Sequence, residues 1–166
     1  MDYKFCSQCG SKLEEKLVDD KTRLQCPACG FVQYFNPVPA AAVTIIQDSQ
    51  ILLVQRAFEP RKGLWSLPAG FLEADETVEE CAIREVKEET NLDVELTGLL
   101  NVYSVFDDPR YICLLVVYTG KILGSELKCG DDASDARFFS PSALPQIAWR
   151  VHRLAVELAF QREQGP

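Results

Sequence analysis

This 166-residue chain lacks long apolar runs. Ile112 to Tyr118 is apolar, but far short of the roughly 20 residues that span a bilayer as a helix. The start, Met1 to Cys6, has neither a basic cluster nor an apolar stretch, so a secretory signal is not expected. Basic residues are in deficit: 17 Lys and Arg against 25 Asp and Glu leave a net charge of −8. General nucleic-acid binding depends on cations that neutralise phosphates, so this balance argues against nucleic acid as a partner. There is one histidine, His152, flanked by Arg150 and Arg153. Those neighbours mark it as a surface residue on a terminal helix and not a metal ligand. No internal repeat and no low-complexity tract is present. A cytoplasmic protein is the expectation, with no membrane segment.

The chain does hold ample apolar material, at 47% of residues, enough for a core without disulfides. Seven cysteines are present, and four form two Cys-x-x-Cys pairs, Cys6/Cys9 and Cys26/Cys29, separated by sixteen residues. Without a secretory signal, that spacing indicates a tetrahedral four-cysteine zinc site in a reducing compartment. Gly10 and Gly30 follow the two pairs and permit tight turns. The segment around them is polar and poor in core residues, so zinc would supply its stability. Asn36-Pro37-Val38-Pro39 is a stiff linker. We therefore divide the chain into a zinc ribbon, 1–35, and a second domain, 36–166. The remaining cysteines are isolated. Cys81 and Cys113 are expected to be small core residues, and Cys129 stands alone.

In the second domain, Ala40 to Gln47 and Gln50 to Arg56 flank Asp48-Ser49 and predict a β-hairpin. Leu64 to Leu67 is a short strand ending at Pro68-Ala69-Gly70. A helix is predicted over Thr77 to Thr90, with Asp75 as its N-cap. Strands follow at 94–100, 102–106, 111–120 and 136–139, with a turn at Asp107-Asp108-Pro109. A last helix is predicted from Pro145 to Gln161, on the spacing of Ile147, Val151, Leu154, Ala155 and Leu158. This order predicts an α+β fold, a mixed sheet sandwiched between helices.

The central helix carries the chemistry. Glu85, Glu88 and Glu89 stand at i+3 and i+4 spacing, so their carboxylates share one face. Three like charges this close need either full solvation or a cation. Dense oxygen ligands suit Mg²⁺ or Mn²⁺. Such an ion would neutralise phosphate oxygens and acidify a bound water. Arg84 is placed to orient a carboxylate or reach a phosphate. Gly70, without a side chain, allows its carbonyl to approach a metal closely.

Gly70, five residues, Glu76, seven residues, then Arg84-Glu85-x-x-Glu88-Glu89 and a final Leu92 resembles the Nudix box. It departs once, with Asn91 where the family has glycine. Asn is the next most tolerant residue for a left-handed helix end. Gly63 to Gly70 upstream and Asp135 to Ser140 with Leu144-Pro145 downstream extend the likeness over about 38–160. The resemblance implies the Nudix fold and a pyrophosphatase. Glu85, Glu88, Glu89 and Gly70 would bind magnesium, Arg84 would orient the glutamates, and Glu76 would support the loop through Arg84. The general base would be a box glutamate or one of Asp131, Asp132 and Asp135. The zinc ribbon resembles that of NADH pyrophosphatases and related enzymes acting on ADP-ribose or FAD. The Ser-Gln-Pro-Trp-type motif of the NADH group is replaced here by Tyr103 to Tyr111, while Pro109 leans towards the ADP-ribose group. Phe35, Phe106, Arg110 and Tyr111 are candidates for stacking on a base. The implied reaction converts a nucleoside diphosphate linked to another moiety into two monophosphates. The alternative is a non-catalytic nucleotide sensor with the ribbon as an interaction module. A homodimer is consistent with the apolar last helix.

Overall fold

A computed structural model describes residues 3–108, 110–130, 133–163 and 165. The expectations placed on Pro109, Asp131 and Asp132 lie outside these. The chain forms two compact units, residues 1–37 and 38–166.

The first unit is a three-stranded antiparallel sheet of β1 (Glu14–Val18), β2 (Lys21–Gln25) and β3 (Val32–Gln33). Two matching loops stand beside it. In one, Cys6 N–H donates to Ser11 O and Gly10 N–H to Cys6 O; in the other, Cys26 N–H donates to Phe31 O and Gly30 N–H to Cys26 O. Gly10 and Gly30 sit at φ of 74° and 79°, where a side chain would be strained. Among the described residues, its apolar core is Cys6, Leu13 and Cys26, with Leu24 and Phe31 packed against them.

In the second unit, β4 (Val38–Gln47) and β5 (Gln50–Arg56) form the expected hairpin. Asp48 and Ser49, both at positive φ, make its turn. The two strands pair only near the turn and then part. Beyond it, β4 pairs with β7 (Ala69–Phe71) and, in parallel, with β9 (Cys113–Gly124). β5 pairs with β6 (Trp65–Ser66) and β10 (Ala133–Phe139). β8 (Asp93–Val105) lies against β9 at the far edge. Side chains alternate across the sheet. Ala40, Ala42, Ile51 and Leu53 face α2 (Arg150–Glu163), whereas Ala41, Val43, Ile45 and Leu52 face α1 (Val78–Thr90). The mixed sheet is therefore sandwiched between helices, as expected.

Several boundaries differ from the sequence reading. The N-cap of α1 is Thr77, not Asp75. The Thr77 hydroxyl accepts from Glu80 N–H, and Glu80 accepts from Thr77 N–H. This capping box satisfies two backbone donors at once, more than one aspartate offers. Asn91 ends the helix at φ 60°, in the left-handed conformation expected of it. The predicted strands 94–100 and 102–106 are one strand, β8, which absorbs its register shifts without breaking. The last helix starts at Arg150 and not Pro145. Residues 146–148 are extended against β6, with Trp65 N–H donating to Gln146 O and Ala148 N–H to Trp65 O. Ile147 therefore forms a bridge to Trp65 and belongs to no helical stripe.

His152 is the largest correction. It is 6% exposed, and its Nδ1 accepts from Leu67 N–H at 3.2 Å. Burial, aided by nearby Arg56, lowers its pKa to about 4. The signal lies in its spacing: Ala155, Val156 and Ala159 are on the same face of the helix. The charged neighbours Arg150 and Arg153 point the sequence reading the wrong way.

Candidate active site and metal centres

The carboxylate face is built by one helix and one short strand. Cys81, Ala82 and Val86 bury the inner side of α1 against the sheet. That leaves Arg84, Glu85, Glu88 and Glu89 lining a cleft with Gly70 and Glu73. Arg84 is the hub. Its Nε and Nη2 donate to both oxygens of Glu76, at 2.9 and 2.6 Å. Its Nη1 donates to Glu85 and Glu88, at 2.6 and 3.1 Å, and Nη2 also reaches Phe71 O. The guanidinium holds the Glu76 carboxyl down at about 2. Burial instead pushes Glu85 above its usual value; Arg84 opposes that, while the charges of Glu88 and Glu76 reinforce it. Glu89 accepts from Ala69 N–H at 3.0 Å.

Gly70 lies under Glu85. A Cβ there would fall 2.1 Å from that carboxylate, so glycine creates the space the acid occupies. Its carbonyl faces Cys81 Sγ at 3.8 Å. Cys81 and Cys113 are buried, as expected, and Cys129 is exposed.

Among the described residues, the four ribbon cysteines are the one group of metal-binding side chains whose ligand atoms all lie within 4.8 Å of each other. Cys6 Sγ is 3.6 Å from Cys29 Sγ, and Cys9 Sγ is 3.5 Å from Cys26 Sγ. Zn–S bonds of about 2.3 Å in a tetrahedron place sulfurs roughly 3.8 Å apart, so these four atoms fit such an ion. Hydrogen bonds from Ser11 lower the Cys9 thiol to about 6. The glutamates meet a looser test. Arg84 holds Glu85 and Glu88, and Ala69 holds Glu89, so each carboxylate is oriented towards the same cleft with lone pairs to spare.

The other sequence candidates separate. Asp135 pairs with Arg137 at 2.5 Å and does not line the cleft. Phe35 stacks on Tyr3 within the first unit. Phe106 is 75% exposed. Arg110 does line the cleft. Arg110 lies over the Tyr111 ring at 5.1 Å, and Tyr111 meets Phe71 edge-on. Sequence reasoning missed Arg56, which joins Arg110 in lining the cleft. Burial and the neighbouring Arg110 both lower the Arg56 pKa.

A family model described as NUDIX domain matches residues 36–158, and one described as Nudix N-terminal matches residues 4–35. The chain is a Nudix hydrolase. It is 45% identical to an ADP-ribose pyrophosphatase of Methanocaldococcus jannaschii over 117 residues, covering 70% of this chain and 69% of that protein. It is 32% identical to the NAD-capped RNA hydrolase NudC of Pseudomonas aeruginosa over 165 residues. That match takes in 98% of this chain but 57% of the relative, so this Nudix hydrolase spans little more than half the length of the NudC relative. A solved Nudix hydrolase from Nitrosomonas europaea superposes with a TM-score of 0.86 at 32% identity, covering 98% of this chain and 94% of the other. Both units thus have counterparts in known members of the family.

Proposed function

We propose that this Nudix hydrolase cleaves the diphosphate of a nucleotide derivative, with Mg²⁺ or Mn²⁺ held by Glu85, Glu88 and Glu89 beside the Gly70 carbonyl. The observation that carries the reading is the Arg84 hub. One guanidinium fixes Glu76 with two bonds and aims Glu85 and Glu88 into a cleft that Glu89 shares. A bound divalent ion there supplies charge neutralisation at the phosphate and a more acidic water. The glutamates hold the ion's side of the diphosphate. Arg56 and Arg110, which line the same cleft, take up phosphate charge. Water attacks phosphorus, the bridging P–O bond breaks, and two monophosphates leave. The water's proton passes to a carboxylate of this cluster or of Asp131 or Asp132; Asp135 is committed to Arg137.

ADP-ribose, FAD and NADH remain the substrate candidates, ordered as written. The NudC relatives add NAD-capped RNA, because the match to them takes in the N-terminal unit as well. The relatives named above are hydrolases and lend the sensor alternative no support. In the same reading the ribbon holds a structural Zn²⁺, residues 1–35 and 36–166 act as separate domains, and the enzyme is a cytoplasmic homodimer. No helix among the described residues is long and apolar enough to cross a membrane.

The test is phosphate release, after added phosphatase, from ADP-ribose, FAD, NADH, NAD and NAD-capped RNA, with each metal. Turnover of at least one that drops by roughly a thousandfold in Glu89→Gln supports the reading. Turnover that the variant retains, or none from wild type, removes it.

A further inference from the structure

The two arginines of the cleft reach it from different parts of the chain. Arg56 ends β5 and Arg110 lies between β8 and β9. Both line the same cleft, and their like charges repel: burial first, and then the charge of Arg110, lower the Arg56 pKa. Long side chains that repel one another swing apart unless something fixes them.

Each is tied first to its own loop. Arg56 Nε donates to Pro60 O at 2.9 Å, in the loop between β5 and β6. Arg110 donates to the Asp108 carboxylate through Nε and Nη2, at 3.1 and 2.9 Å. The two loops are then tied to each other by the neighbouring residues. Arg61, next to Pro60, donates from Nη1 to the Asp107 carboxylate at 3.3 Å and from Nη2 to Asp107 O at 2.9 Å. Arg61 Nη1 also donates to Ala148 O. The same Asp107 oxygen accepts from Arg150 N–H at 3.2 Å, so the junction is anchored to the start of α2.

Trp149 completes the junction. It is 7% exposed, and two guanidiniums lie over its ring, Arg61 at 4.1 Å and Arg56 at 5.5 Å from the centroid. Arg61 holds a left-handed backbone, at φ 66°, which a residue with a side chain keeps only where its surroundings over-determine it. Yet Arg61 is not among the residues that line the cleft. Its bonds act on the groups that do. We propose that Arg61 is a positioning residue for diphosphate binding. Through Asp107 and Trp149 it sets the separation of Arg56 and Arg110, so that the two cations meet two phosphates of one substrate together. This rests on the reading of that pair as phosphate-binding groups. A guanidinium is required, because its planar fork bonds a carboxylate and two main-chain oxygens while its face lies on a ring.

The experiment measures calorimetric Kd, with Mg²⁺, for AMP and for the α,β-methylene analogue of ADP, whose bridge water cannot cleave. Wild type is set beside Arg61→Ala, Arg61→Lys, Arg56→Ala and the double variant of Arg56→Ala with Arg61→Ala. Wild type is expected to bind the diphosphate analogue about tenfold more tightly than AMP. Arg61→Ala should cut that ratio about fivefold, and should change it little further once Arg56 is alanine, because it acts through Arg56. Arg61→Lys keeps the charge but not the fork, so it should resemble Arg61→Ala; it carries the test if Arg61→Ala does not fold. A lower Tm with an unchanged ratio would mean a structural role alone and overturns the proposal. So does an equal loss with and without Arg56, a lysine variant equal to wild type, or a wild type without preference for the diphosphate. The assay needs no turnover. If the pattern holds but no substrate is hydrolysed, the hydrolase reading fails and the positioning role stands.

Discussion

A methyl group at Gly70 would sit 2.1 Å from the Glu85 carboxylate. Gly70→Ala is therefore expected to displace that acid and lower kcat about a hundredfold, since misplacement by an ångström costs that much. Steady-state rates, with circular dichroism to show an intact fold, check it; an unchanged kcat would mean Glu85 has no part in turnover. His152 carries a prediction of stability. Its folded pKa, about 4, lies below the ordinary 6.5. As pH falls through that window the unfolded chain binds the proton first, so stability present above 6.5 is lost on the way to 4. The integrated loss is roughly 3 kcal/mol. Denaturant unfolding from about pH 7 to about pH 4 should show this extra slope in wild type and not in His152→Asn; parallel curves would contradict it. His152 also shows what charge patterning hides. Arg150 and Arg153 mark an exposed flank, but a helix turns about 100° per residue, and a buried side chain can stand between two exposed ones.

At the scale of elements, α1 is held at both ends by devices that are local in sequence. Thr77 and Glu80 close its start, and Asn91 takes the left-handed turn at its finish, with its side-chain amide bound to Glu126 O. Thr77→Ala should cost about 1 kcal/mol, a fall in Tm of roughly 2–4 °C, with kcat little changed. A differential scanning measurement beside an activity assay reads both. A thermal midpoint equal to wild type would show that the capping box adds nothing to stability. The Glu85, Glu88, Glu89 face is legible in the sequence because helical periodicity alone groups those residues. The start of α2 is not. Pro145 is a good first residue for a helix, but Gln146 and Ala148 bond to Trp65, far away in sequence, and that pairing keeps the segment extended. The single strand β8 reads as two for a similar reason: bulges that pairing with β9 tolerates look like breaks in a one-dimensional pattern.

For the whole molecule, the contrast between the two units predicts different dependence on metal. Residues 38–166 enclose two apolar cores, one on each face of the sheet. Among the described residues, the first unit has three buried apolar ones, two of them cysteines. A chelator that removes zinc should therefore open residues 4–35 to protease while 38–166 stays resistant, with cleavage mapped by mass spectrometry. A ribbon that remains resistant after metal analysis shows no zinc would refute the structural role. The sequence by itself determined the ribbon and the metal-facing helix, because both rest on short-range spacing: two Cys-x-x-Cys pairs, and acids three and four apart. It determined the sandwich as well, through the alternation and order of its elements. Only the tertiary structure decided what lies behind the cleft. Arg56, Ser66, Asp108 and His152 come from β5, β6, the loop after β8 and α2, and no spacing links them. They meet because β4 and β5 part beyond their turn, and α2 closes over the gap between them.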